Sequence, residues 1–133
     1  MTFKNINFCP AWITQGADRR MNDFADGAGE QLAKSLTTSQ IRNIYSEIKR
    51  IQTVGFERNK SSFYLLKPKV AYAYGRTVKK GERGLFGNRG LKTFKDIFDE
   101  ASEHVSDENT YNNFCNFMEA ILAYHKFYGG KDK

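Results

Sequence analysis

The sequence predicts an all-α fold: a compact bundle of about five helices over residues 18–133, preceded by an irregular N-terminal arm at residues 1–17 and interrupted by a glycine-rich loop. Three observations carry that expectation. Apolar residues recur at intervals of three and four along most of the chain, the spacing of one buried helical face. No stretch shows the sustained alternation of a half-buried strand. Helix start and stop signals fall at the ends of the periodic segments. At 133 residues the chain has single-domain length. Hydrophobic residues at 40% and aromatics at 14% are enough to fill a core, so a disordered class does not fit.

Residues 1–17 lack a clean period and hold Pro10 and the single tryptophan, Trp12. From Asp18 to Leu36 a helical pattern runs through Met21, Phe24, Ala28 and Leu32, although Gly27 and Gly29 each weaken a helix interior by about 1 kcal/mol relative to alanine. Thr37 followed by Gln40 forms a capping-box signature. Behind it Ile41, Ile44, Tyr45, Ile48 and Ile51 define a second helix over about 38–54. A third stripe is Phe63, Leu66, Val70, Tyr74 and Val78, with Pro68 either in the first turn of a new helix or inside a longer one. Five glycines between Gly75 and Gly90 then read as a helix end and a mobile loop. Leu91, Phe94, Ile97, Phe98, Ala101 and Val105 make the fourth helix. The fifth runs from about Glu108 to Tyr128 and stops at Gly129-Gly130. Its apolar residues, from Tyr111 to Tyr128, cover nearly half the circumference, so this helix is either central or partly docked on another subunit.

Several classes are disfavoured. Uninterrupted apolar runs fall far short of the roughly 20 residues of a membrane span. The first twenty residues lack the apolar core and cleavage site of a secretory signal, so a cytoplasmic protein is expected. Cys9 and Cys115 are too far apart for a zinc knuckle, and both are expected to be reduced, with Cys115 in the core. Neither His104 nor His125 sits in a metal-binding pattern. The acidic face Asp96, Asp99, Glu100, Glu103 and Asp107 could hold a divalent ion, but a solvated face is the commoner use of that spacing. No metal, cofactor or catalytic residue is expected, and the glycine loop lacks the spacing of a P-loop.

Charge is the informative feature. The net charge is +6, yet residues 42–95 carry fourteen basic against three acidic side chains, and residues 96–119 carry seven acidic and no basic ones. On a helical projection of residues 60–83, Lys69, Tyr72, Arg76, Lys79, Lys80 and Arg83 fall opposite the apolar stripe. Between Lys69 and Lys80 this cationic face extends roughly 16 Å, enough to meet several phosphates. On the preceding helix Arg42, Ser46, Lys49 and Thr53 form a second stripe, flanked by Arg50. A lysine-rich face can simply be solvated. Recurrence on two successive helices, near-exclusion of acids and interleaved hydroxyl donors favour nucleic-acid contact. The candidate nucleic-acid-binding residues are therefore Arg42, Lys49, Arg50, Lys69, Arg76, Lys79 and Lys80. A helical DNA-binding regulator would use the same charge, and a small nuclease would need His104, His125 or the acidic face.

Three segments also carry a family resemblance: LTTSQIRNIYSEIKRIQ at 36–52, LLKPKVAYAYGR at 65–76 and FMEAILAYHKFYGG at 117–130. Together they resemble the small, all-helical subunit of type III-A CRISPR effector complexes, the Csm complexes. The resemblance implies a non-catalytic antiviral-defence protein, present in several self-associating copies beside the guide-RNA-carrying subunits and in contact with target RNA. It thereby implies that the nucleic acid met by the seven candidate residues is RNA. Arg42, Lys69 and Arg76 lie within its motifs. The arm at 1–20 and the loop at 81–90 lie outside them.

Overall fold

The computed structural model describes residues 2–80 and 89–130, apart from the side chains of 77–80. Two short strands, β1 (Thr2–Phe3) and β2 (Ile6–Asn7), precede six helices: α1 (Ala11–Thr14), α2 (Arg19–Ala33), α3 (Thr38–Val54), α4 (Lys60–Lys80), α5 (Arg89–Ser102) and α6 (Glu108–Phe127). The all-α expectation holds, with one more helix than the five predicted and a two-stranded antiparallel hairpin added at the N-terminus.

The irregular arm is the main correction. Lys4 and Asn5 both have positive φ, so a two-residue turn pairs Phe3 with Ile6. The hairpin lies on α2, where the Phe3 ring meets Phe24 edge-on at 5.1 Å and Lys4 pairs with Asp26 at 3.1 Å. One helical turn later Trp12 and Ile13 are fully buried. The indole sits against Phe24 and Phe117, with centroid separations of 5.1 and 6.1 Å. Asn113 of α6 donates to the Ile13 carbonyl at 2.9 Å. A single turn is too short to show a period, which is why the pattern missed it.

Helix α6 is the central element, so the first of the two readings of its wide apolar arc applies. Tyr111, Phe114, Phe117, Met118, Ile121 and His125 are all buried within the chain. Its start is fixed by Asp107, whose carboxylate accepts from the Thr110 amide at 2.8 Å, and its end by Gly129 at φ 82°. Glu108 accepts from the Phe56 amide at 3.0 Å and so ties α6 to the α3–α4 connection. The Tyr111 hydroxyl donates to the Ile48 carbonyl at 2.6 Å. Burial holds the Tyr111 phenol well above its ordinary pKa and pushes the Cys115 thiol up to about 11.

The predicted second helix is α3, with its Thr37–Gln40 capping box formed in both directions. Pro68 lies inside one continuous helix, α4, on the solvent side. There water can satisfy the carbonyl left without a donor. Gly75 also belongs to α4 rather than to a loop, and Gly90 belongs to α5. Residues 81–88 of the expected glycine loop lie outside the described residues.

Two glycines that weaken α2 as an isolated helix are required by its neighbours. A Cβ on Gly29 would stand 2.5 Å from the Tyr124 Cβ and 2.7 Å from the His125 amide nitrogen, so glycine lets α2 and α6 approach closely. Gly27 likewise admits the hairpin, with the Phe3 Cβ at 2.9 Å from the same virtual position. Gly29→Ala is expected to lower stability by about 1–2 kcal/mol, because overpacking outweighs the gain of about 1 kcal/mol in helix propensity. A rise in the melting temperature of that variant would show the crossing to be looser than described.

Candidate nucleic-acid interface

Helices α3 and α4 pack against each other, and Ile44, Ile48 and Ile51 of one and Phe63, Leu66 and Val70 of the other are buried in the common core. This packing sets their polar flanks along a shared groove of about 460 Å3. The α3 wall consists of Ser39, Gln40, Asn43, Ile44 and Glu47, and the α4 wall of Lys69, Tyr72, Ala73 and Arg76. Lys69, Tyr72 and Arg76 are exposed, as the projection of that helix requires. The Arg76 guanidinium carbon lies 5.9 Å from the Tyr72 ring centroid, within cation–π range.

The seven candidate cations do not form one sheet of charge. Lys69 and Arg76 share the groove, with no ion-pair partner among the described residues. Arg50 is held at the α3 edge by Glu47, which accepts from Nε at 3.0 Å and from Nη2 at 2.7 Å. Lys49 turns towards α6, 3.5 Å from Glu119. Arg42 is exposed on that same flank, beside a small pocket of about 220 Å3 lined by Ile41, Tyr45 and Leu122. Lys79 and Lys80 continue the α4 backbone, and their side chains lie outside the described residues.

Glu47 was not singled out by the sequence reading, although residues 40, 43, 47 and 50 fall on one helical ridge. Its hydrogen bond from Arg50, with the charges of Arg50 and Lys69 adding to it, holds the carboxyl below its ordinary pKa against the opposing effect of burial. An ionised carboxylate therefore faces the two free cations at neutral pH. Replacing it by glutamine removes one negative charge and releases Arg50. The expected result is RNA affinity raised about two- to fivefold at low salt, with the gain shrinking as salt is added. Titrations at two ionic strengths check this, and weaker binding by the variant would contradict it.

Both histidines and two of the acids that a nuclease would need are engaged elsewhere. His125 is buried, and its Nε2 lies 2.6 Å from the Leu36 carbonyl; since a carbonyl only accepts, Nε2 carries the proton. His104 stacks on Phe8, with ring centroids 5.9 Å apart. On α5, Asp96 and Asp99 pair with Lys92 and Lys95 at 2.7 and 2.6 Å, which neutralises part of the acidic face. Among the described residues no three His, Cys, Asp or Glu side chains come together in a metal-holding group.

The groove and the bundle that builds it lie within residues 16–131, and those residues match the family model described as Csm2 Type III-A. The chain belongs to the Csm2 family. A curated relative, the CRISPR system Cms protein Csm2 of Streptococcus thermophilus, is 35% identical over 102 residues, covering 73% of this chain and 76% of its own length. No solved structure matches. This Csm2 chain is thus a small subunit of the type III-A CRISPR effector complex, and other subunits of that complex are its partners. The resemblance carried by residues 36–130 is borne out, and the family match extends it to residue 16. Among the described residues no helix is long and apolar enough to cross a membrane.

Proposed function

We propose that this Csm2 chain is a non-catalytic RNA-binding subunit in the cytoplasm. Several copies stack along the guide–target duplex and contact the target-RNA backbone through the basic faces of α3 and α4. The observation that supports this reading most is that Lys69 and Arg76 share one exposed groove wall, and neither is within ion-pair distance of an acid among the described residues. Arg76 presents a planar fork suited to two phosphate oxygens, and Lys69 a compact point charge about two helical turns, roughly 10 Å, away on the same face. Arg42 adds a phosphate donor on the neighbouring flank. Lys49 and Arg50 exchange their carboxylate partners for phosphate, while Lys79 and Lys80 extend the contact along α4. These groups recognise backbone rather than sequence, which guide pairing supplies.

Because Tyr111, Phe114, Phe117, Met118 and Ile121 of the α6 arc are buried inside the fold, most of that arc is not free for stacking, and copies stack largely through other surfaces. Among the described residues the exposed Val54, Tyr64, Leu65 and Phe127 are large apolar side chains available for that contact.

Salt titration tests the RNA contact. If about five phosphates are neutralised on one strand, log affinity should fall against log salt with a slope near −3.5, at about 0.7 per phosphate. Salt-independent binding would defeat the proposal. Sedimentation of the isolated chain and the copy number in the purified complex test stacking; a monomer at all concentrations together with a single copy per complex would refute it.

A further inference from the structure

Phosphate neutralisation leaves one side chain of the groove without a purpose. Tyr72 is 69% exposed, an aromatic ring kept out of the core between two cations that could meet phosphates without it. The Arg76 guanidinium lies over the ring at 5.9 Å, and no aromatic ring stacks on Tyr72 among the described residues. Across the groove, the α3 wall offers amides. Asn43 is exposed, and Gln40 spends its Oε1 on the Thr37 amide at 2.8 Å, leaving its NH2 group to donate.

Charge is distributed unequally between these walls. Lys69 and Arg76 stand on the α4 side, and the ionised Glu47 on the α3 side. A nucleotide entering the groove therefore has one favourable orientation. Its phosphate is drawn to α4 and repelled from Glu47, so its base comes to lie among Tyr72 and the amides of Gln40 and Asn43. The volume of about 460 Å3 falls in the range of small-ligand sites.

We infer that the α3/α4 groove binds an unpaired nucleobase, stacked on Tyr72 beside Arg76. The inference rests on the RNA-binding reading above and deepens it. Inside a duplex a base has both faces covered by its neighbours, and the deep, narrow major groove of A-form RNA keeps side chains from its edges. Aromatic stacking therefore needs a single strand, a bulge or an end. Every base offers a π face, so such a site tolerates any sequence and leaves specificity to guide pairing.

The test uses the full chain and three RNAs carrying 2-aminopurine: a single strand, a duplex with the probe as its only bulged nucleotide, and a duplex with the probe paired. The wild type should change the probe's emission in the first two and not in the third. Tyr72→Ala should abolish that change and weaken single-strand binding roughly 5- to 150-fold, whereas Tyr72→Phe should retain both. The side chain is exposed, so far-UV circular dichroism should be the same for all three proteins. If Tyr72→Ala binds and perturbs the probe like the wild type, while Lys69→Ala and Arg76→Ala weaken binding, the base site is wrong and the backbone reading stands. If the wild type binds none of the RNAs, both fail. If Tyr72→Ala spares RNA binding but loses the other subunits of the complex, the ring is a protein contact and the inference is overturned.

Discussion

Trp12→Ala is expected to destabilise the protein by about 3–5 kcal/mol, the range for emptying a buried large aromatic site. The indole is 1% exposed and touches rings from three other parts of the chain: Phe8, Phe24 on α2 and Phe117 on α6. Closure of the space is opposed because α2 and α6 already meet closely at Gly29, and α6 is tied to α3 and α4 by the Tyr111 hydroxyl on the Ile48 carbonyl and by Phe114 against Phe63. Against a total stability of about 5–15 kcal/mol for a domain of this size, such a loss leaves little margin. Denaturant unfolding followed by far-UV circular dichroism measures it. Thr14→Ala serves as a control one half-turn away, where the side chain is exposed and its Oγ1 bond to Pro10 is long at 3.3 Å. That control should shift stability by no more than about 0.5 kcal/mol. Trp12 is also the only tryptophan, so the native wild type should emit in the blue and shift red on unfolding. Equal stability of Trp12→Ala and Thr14→Ala would mean that residues 1–17 are the loose arm their sequence suggests.

The contrast between that arm and the rest of the chain shows what the pattern of residues carries. Helices α3 and α6 were legible because periodicity and caps agree: Ile41, Ile44, Ile48 and Ile51 face inward as their spacing requires, behind a capping box that forms as written. Local signals fail where an element is shorter than its own repeat. Helix α1 has four residues, and the hairpin turn uses Lys4-Asn5 in place of the usual Asn-Gly, so neither announces itself. Gly29 was legible as a helix weakness and not as a crossing point, because its reason lies at Tyr124 and His125, almost a hundred residues further on.

The candidate interface divides in the same way. That Lys69, Tyr72 and Arg76 share an exposed face follows from 100° per residue and needs no fold. Which part of α3 faces them depends on how two helices rotate about their contact, and a projection of either helix alone cannot supply this. The structure sets Gln40, Asn43 and Glu47 opposite them and turns Arg42 and Lys49 to the far flank. The basic stripe of α3 expected beside the cations of α4 therefore becomes a polar wall carrying one acid. Charge summed along the sequence located the region, and packing decided which charges are neighbours.

Reversing both groove cations, Lys69→Glu with Arg76→Glu, is expected to reduce RNA affinity at least about 100-fold at moderate salt. Each charge-assisted contact to phosphate contributes about 1.5–3 kcal/mol when well formed, and at exposed positions the lower end applies. Losing two such contacts would account for about two orders of magnitude, since 1.4 kcal/mol is tenfold. Two new carboxylates beside Glu47 add repulsion to that loss. The salt dependence should change as well: removing two of about five neutralised phosphates takes the slope from near −3.5 towards about −2.1. This second readout separates a lost contact from a misfolded variant, which would lose affinity without a defined slope. Both side chains are exposed and without an ion-pair partner among the described residues, so the melting temperature should hardly move. Arg42→Glu, on the other flank, should remove a single contact and weaken binding about tenfold. If the double reversal binds RNA as tightly as the wild type while Arg42→Glu does not, the RNA path runs along the α3/α6 flank and the groove is not the interface.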